Sequence, residues 1–145
     1  MASQRLQGYF DDYASYHRTP GNKATHLIGI PLIIIGILSI LARLGMGGES
    51  PLPLDAAGVF WALASLWYIR LDWKLGIPFS AVTLGLYYIG RACSLPVAVS
   101  FFAAGWIFQL VGHYRFERNS PAFLNTLVHL FIGPFWIFSR VLGYR

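Results

Sequence analysis

The stretch ATHLIGIPLIIIGILSILARL, residues 24–44, decides the fold class. Between Lys23 and Arg43 there is no Asp, Glu, Lys or Arg. About 20 such residues in helical form cross a hydrocarbon core of about 30 Å. Only helices and closed barrels satisfy their own backbone hydrogen bonds there. Uncharged gaps of similar length separate Arg91 from Arg115 and Arg118 from Arg140. Two shorter gaps, Asp55 to Arg70 and Lys74 to Arg91, also span if Arg70 and Lys74 run their apolar stems out to the interface. The expectation is an all-α fold: a polytopic membrane helical bundle of four spanning helices in one membrane-embedded domain, 1–145. A fifth, C-terminal segment is expected to be kinked or re-entrant.

Composition agrees. Of the 145 residues, 56% are hydrophobic and 12% charged, where an ordinary soluble domain has about 25% charged residues. With so few charges a small soluble domain cannot cover its surface. The net charge of +5 is dispersed among loops, which suits membrane topology and argues against nucleic acid. The single cysteine, Cys93, excludes an internal disulfide. Residues 1–23 form too long a polar lead for a simple signal-peptide core.

Along the chain, Leu6, Tyr9, Phe10, Tyr13 and Tyr16 recur at helical spacing on one face. That pattern predicts an interfacial amphipathic helix with its rings at headgroup level, ended by Thr19-Pro20-Gly21-Asn22. Spanning helices are predicted over 24–44, 54–70, 75–90 and 97–113, the last extending to Glu117. Gly45–Pro53 reads as a loop and Leu71–Lys74 as a tight turn. Pro78 falls in the first turn of its predicted helix, where proline is tolerated. In the last segment, 121–145, Gly133-Pro134 predicts a kink or break.

Positive residues favour the cytoplasmic side. With the N-terminus inside, Arg5, Arg18, Lys23, Arg70, Lys74, Arg115 and Arg118 face inward, joined by Arg140 and Arg145 if the last segment returns. Only Arg43 and Arg91 then face outward. This topology places His17, His26 and His113 at the cytoplasmic interface, with His129 one to two turns deep in the same leaflet. The host membrane is a bacterial inner membrane, or the endoplasmic reticulum in a eukaryote. These are the chain's four histidines. Imidazoles are the commonest metal ligands, and ionisable groups inside a membrane mark functional sites.

Three constellations carry them. In the first, Tyr16 to His26, a turn between His17 and His26 can fold both rings toward one point. Asn22 or Thr25 is then available as N-cap of the following helix. In the second, Gln109, His113 and Glu117 fall at four-residue intervals on one helical face. Glu117 can orient the imidazole or ligate a metal itself, or simply pair with Arg118 or Arg115 at the surface. Gln109 suits orienting a ligand or bonding a neighbouring helix. The third pairs His129 with Asn125. Several imidazoles, one carboxylate and no thiolate favour iron, zinc, copper or nickel over calcium or magnesium. Arg18, Lys23 and Arg115 stand ready to hold a substrate carboxylate at headgroup level. These residues point to a membrane metalloenzyme acting on a lipid. Two rivals stay open: a transporter or scaffold handling metal or protons, and a zinc-dependent lipid hydrolase.

The two strongest motifs are Tyr-x2-Tyr-His-x-Thr-Pro-Gly-Asn-Lys-x-Thr-His-x-Ile-Gly-Ile-Pro, from Tyr13 to Pro31, and Gly-Trp-Ile-Phe-Gln-Leu-Val-Gly-His, from Gly105 to His113, followed by Phe116-Glu117 and Pro121-Ala122. They resemble the signatures of the 2-hydroxy fatty acid dioxygenase family of phytosphingosine degradation. The resemblance covers nearly the whole chain. It implies a small multi-pass membrane enzyme that uses ferrous iron, Fe(2+), and dioxygen to shorten a 2-hydroxy fatty acid by one carbon. It further implies His17, His26 and His113 as iron ligands, with Asn22, Gln109 and Glu117 at positions that support the site. His129 joins the ligand candidates on the topology argument.

Overall fold

The computed structural model of the chain describes residues 3–44 and 55–144. These form six α-helices and no strand: α1 Gln4–Ser15, α2 Pro20–Leu41, α3 Ala56–Leu71, α4 Trp73–Ala92, α5 Leu95–Val111 and α6 His129–Val141. A π-helical segment, Gly112–Glu117, continues α5, and a short 3-10 turn, Ala122–Leu124, precedes α6. Among the described residues two helices are long and apolar enough to cross a membrane, Pro20–Leu41 and Leu95–Glu117. Ala56–Leu71 is a shorter apolar helix. The loop expected at Gly45–Pro53, together with Leu54, lies outside the described residues.

The chain divides into two compact units, Leu32–Ala104 and the pair of segments Met1–Pro31 with Gly105–Arg145. In the first, α3 and α4 form an antiparallel hairpin joined through Asp72 alone, the tight turn anticipated at 71–74. The Asp72 amide donates to the Tyr68 carbonyl (3.0 Å), ending α3. Its carboxylate accepts from the amides of Lys74 (3.1 Å) and Leu75 (3.2 Å), starting α4. Capping of this kind satisfies amides that a helix start leaves without partners. The Trp61 indole donates across the hairpin to the Ser80 carbonyl and the Thr83 hydroxyl, both at 3.2 Å.

Several other polar residues in the same unit are likewise engaged. Asp55 caps α3 through the Gly58 amide (2.8 Å) and accepts the Tyr87 hydroxyl (2.8 Å). Arg91 stands 3.6 Å from the same carboxylate. Arg43 turns back onto the Ser39 carbonyl and hydroxyl and onto the Cys93 carbonyl. Leu38, Ala57 and Tyr87 form the apolar centre.

In the other unit α1 packs on α6. The apolar face read from the sequence is present, but it meets protein. Leu6, Phe10 and Tyr13 are all buried, and Phe10 meets Phe135 edge-on at 6.0 Å. A face of that size gains more from a matching apolar partner than from the mixed headgroup layer.

Three local expectations are corrected. α2 begins at Pro20, not Ala24, because proline lacks an amide donor and has its φ fixed near the helical value, which suits the first helical position. The Thr19 hydroxyl then accepts from the Asn22 amide (3.3 Å), so Thr19 caps the helix and Asn22 lies inside it. α4 begins at Trp73, which moves Pro78 into the second turn. α6 runs unbroken through Pro134. The interruption comes earlier, at residues 125–128, between the 3-10 turn and His129.

Candidate metal centre

His17, His26 and His113 come together. One nitrogen from each lies within 4.8 Å of the others, and ring centroids are separated by 4.4, 4.8 and 4.9 Å. All three side chains are buried, at 1%, 1% and 2% exposure. They arrive from the turn after α1, the second turn of α2, and the π-helical extension of α5.

Local bonds fix the tautomers. His17 Nδ1 is 2.8 Å from the Tyr13 carbonyl, and His26 Nδ1 is 2.9 Å from the Asn22 carbonyl. A carbonyl only accepts, so each Nδ1 donates and each neutral ring presents a bare lone pair at Nε2. Those two Nε2 atoms face each other at 3.0 Å. Two lone pairs cannot bond each other, whereas a cation between them satisfies both. Ligands about 2.1 Å from one ion and at right angles to each other stand about 3.0 Å apart, which this pair matches. His113 Nδ1 is buried with no hydrogen-bond partner. Burial disfavours the imidazolium and holds His17 down to a pKa of about 4. That ring is therefore neutral near pH 7, and a set of three imidazoles fits a divalent transition metal.

Glu117 joins the two sequence motifs. Its carboxylate accepts from the amides of Arg18 (2.9 Å) and Thr19 (3.0 Å), from the Thr19 hydroxyl (2.9 Å) and from Asn22 Nδ2 (3.1 Å). The anion caps the N-terminus of α2, where helix amides and dipole favour negative charge. Oε2 takes three of these donors and Oε1 one, all from the His17–Asn22 turn, and the alternative pairing with Arg115 or Arg118 is not observed. The helix widens into π turns over residues 112–117, a distortion that recurs at functional sites.

Asn22 is fully buried. Its amide nitrogen bridges the Tyr16 carbonyl (3.3 Å) and Glu117, while its Oδ1 has no partner. Gly112 makes room for it. A Cβ there would collide with Thr25 Oγ1 and Asn22 Oδ1. Gln109 is also buried, and its amide nitrogen has no partner. It lies at the crossing where Gly29 passes close to the Gly105 carbonyl, a small-residue contact of the kind that lets helices approach in membranes.

The remaining sequence candidates stand apart from the three-histidine group. His129 is buried, with Nδ1 3.1 Å from the Ala122 carbonyl and Nε2 2.9 Å from Asp12 Oδ2. Asn125, paired with it in the sequence reading, instead donates to the Tyr16 hydroxyl at 3.2 Å. Arg18, Lys23 and Arg115 are all exposed, and the Arg18 side chain donates to the Ser15 carbonyl at 3.0 Å.

Sequence reasoning missed Tyr13 as a site residue. Its ring stacks on His17 at 4.0 Å and 14°, and it touches Trp136 at 5.4 Å. Burial raises its pKa and keeps the phenol neutral. The signal was its place four residues before His17 on a helix, where its carbonyl is the natural acceptor for the histidine ring. Thr19, which binds Glu117 through both amide and hydroxyl, was also passed over.

A family model described as Mpo1-like, 2-hydroxy-palmitic acid dioxygenase, matches residues 3–145. The chain is 28% identical over 138 residues to the 2-hydroxy-palmitic acid dioxygenase MPO1 of Saccharomyces cerevisiae, an alignment covering 94% of this chain and 79% of that one. No solved structure matches it.

Proposed function

The chain belongs to the Mpo1-like family of 2-hydroxy-palmitic acid dioxygenases, and from that premise we propose that it is an iron-dependent membrane dioxygenase. Its reaction shortens a 2-hydroxy fatty acid by one carbon through oxidative cleavage between C1 and C2. The observation that carries the reading is the buried convergence of His17, His26 and His113, with two bare Nε2 atoms 3.0 Å apart.

Ferrous iron held by these three rings supplies the redox chemistry with dioxygen. The protein's part is to bind, orient and keep out water. Tyr13 and Asn22 hold the tautomers of His17 and His26 through their carbonyls. Glu117 holds the turn that carries His17 against the helix that carries His113. Arg18 adjoins His17, Lys23 adjoins Asn22, and Arg115 lies two residues from His113. These exposed cations attract the substrate carboxylate, and its tail lies among apolar helices. The unpartnered amide of Gln109, one helical turn before His113, orients ligand oxygen at the site.

The membrane architecture is part of the proposal. α2 and α5, long and apolar enough to cross, span in this reading, α3 and α4 complete a four-helix set, and the C-terminal segment, interrupted at residues 125–128, is the re-entrant one. The N-terminus and the histidines face the cytoplasm.

The test is oxygen uptake by iron-loaded protein in detergent on addition of 2-hydroxypalmitate, with products identified by mass spectrometry. An acid one carbon shorter, formed with oxygen consumption, is the expected result. Product formed without oxygen uptake would mean hydrolysis, and loose binding of several metals without turnover would mean transport.

A further inference from the structure

We infer that Asp12 and His129 form a clasp that positions the metal site from outside its ligand set. The inference rests on the metal-centre reading above.

His129 begins α6. Its side chain is buried, yet its two ring nitrogens face a carbonyl, Ala122 O at 3.1 Å, and a carboxylate, Asp12 Oδ2 at 2.9 Å. Both ring nitrogens are thus taken up by protein oxygens, and neither joins the three-histidine group. The Asp12 contact spans 117 positions of sequence and fastens α1 to α6.

What it fastens is the support of a ligand. Asp12 is followed by Tyr13, whose carbonyl accepts from His17 and whose ring stacks on it. Tyr13 is gripped from α6 as well: the His129 ring meets it edge-on at 5.8 Å and Trp136 lies at 5.4 Å. A Cβ on Gly133 would reach the Tyr13 hydroxyl at 2.7 Å, so this turn of α6 admits the phenol only because residue 133 has no side chain. Thus α6 sets Tyr13, and Tyr13 sets the tautomer and plane of His17. Partners that orient a metal-binding imidazole typically alter metal affinity 10- to 100-fold when removed, roughly speaking, while leaving the ligands unchanged.

The experiment uses the full chain in detergent with cobalt(II) as the probe. His129→Gln, Asp12→Asn, their double variant and Asp12→Glu are compared with the parent and with His17→Ala. Cobalt titration gives affinity, the ligand-field absorption spectrum reports the donor set, and amide exchange over residues 4–17 reports docking of α1.

The expected result is a parental spectrum in His129→Gln and Asp12→Asn, affinity lower by roughly 10-fold or more, and faster exchange in α1. The double variant should be no weaker than the weaker single one, because both substitutions remove one contact. Asp12→Glu should recover most of the affinity, and His17→Ala should lose the parental spectrum.

A changed spectrum in His129→Gln with Asp12→Asn unaffected would make His129 a ligand and overturn the clasp. So would unchanged affinity and exchange in both single variants, or losses that add in the double. A parent chain that takes up no cobalt would instead sink the metal-centre reading, and the exchange data would still decide whether Asp12 and His129 hold α1.

Discussion

Glu117 reaches across 98 positions of sequence to Thr19 and accepts from both its amide and its hydroxyl, at 3.0 and 2.9 Å. With the Arg18 amide and Asn22 Nδ2 added, one carboxylate gathers four donors from the head of α2. Hydrogen bonds to a charged acceptor contribute about 1.5–3 kcal/mol each, and less where water competes. Glu117→Gln turns an amide group toward donors and removes the charge at the helix start. It should lower stability by about 2–4 kcal/mol, measured as the thermal midpoint in detergent. Bound metal should keep its parental spectrum, and a lost donor set in this variant would mean that Glu117 ligates directly.

Gly112 is required by contact. Its missing Cβ is the space occupied by Thr25 Oγ1 and Asn22 Oδ1, with His26 Nδ1 at 3.2 Å. Gly112→Ala improves helix propensity by about 1 kcal/mol, yet it forces α5 away from α2 beside two of the three histidines. Overpacking of this kind costs about 1–3 kcal/mol. The net expectation is a small change in thermal midpoint with a large loss of metal affinity. Undiminished metal binding would show that the crossing relaxes without moving the rings.

His113→Ala should abolish stoichiometric metal while leaving the protein folded. The ring is buried with an unpartnered Nδ1, so its removal deletes no hydrogen bond at that atom and costs only packing, about 2–3 kcal/mol. Metal analysis after dialysis, alongside the helical circular dichroism signal, separates the two effects. Full metal retention would remove this ligand from the set.

The sequence made the helices and the meeting of three histidines legible for different reasons. Uncharged runs are a local property, so α2 and α5 could be read directly, as could the turn at Leu71–Lys74, where Asp72 caps within three residues. The grouping of His17, His26 and His113 was expected from the two motifs and their resemblance, while the topology argument that added His129 is not met by the three-histidine group. What stayed hidden depends on partners far away in sequence. Asp12 keeps a 60% exposed side chain, and nothing local joins it to His129, 117 positions away. Asn22 and Thr25 looked like caps because the helix was expected to start near Ala24, and the start at Pro20 gives that role to Thr19. The aromatic face of α1 has one pattern whether it meets lipid or α6. Pro134 reads as a breaker, yet α6 continues through it, giving up one backbone hydrogen bond without ending.

A last expectation concerns pH. His17 in the folded, metal-free chain has its pKa lowered from 6.5 to about 4, with burial the leading cause and the bond to the Tyr13 carbonyl opposing it. Above pH 6.5 the ring is neutral in both folded and unfolded chains, and this group adds no pH dependence. Between pH 6.5 and about 4 the unfolded chain takes up a proton that the folded chain refuses, so stability falls as pH falls. The loss approaches about 1.4 kcal/mol per pH unit in that window and stops below it, where both forms are protonated. Bound metal occupies the same lone pair and should steepen the loss, because protons then compete with the ion as well. Thermal midpoints of metal-free protein from pH 8 to 4 should therefore be flat at first and then decline, and His17→Phe should flatten the decline. A parental slope in His17→Phe would place the proton-sensitive group elsewhere in the fold.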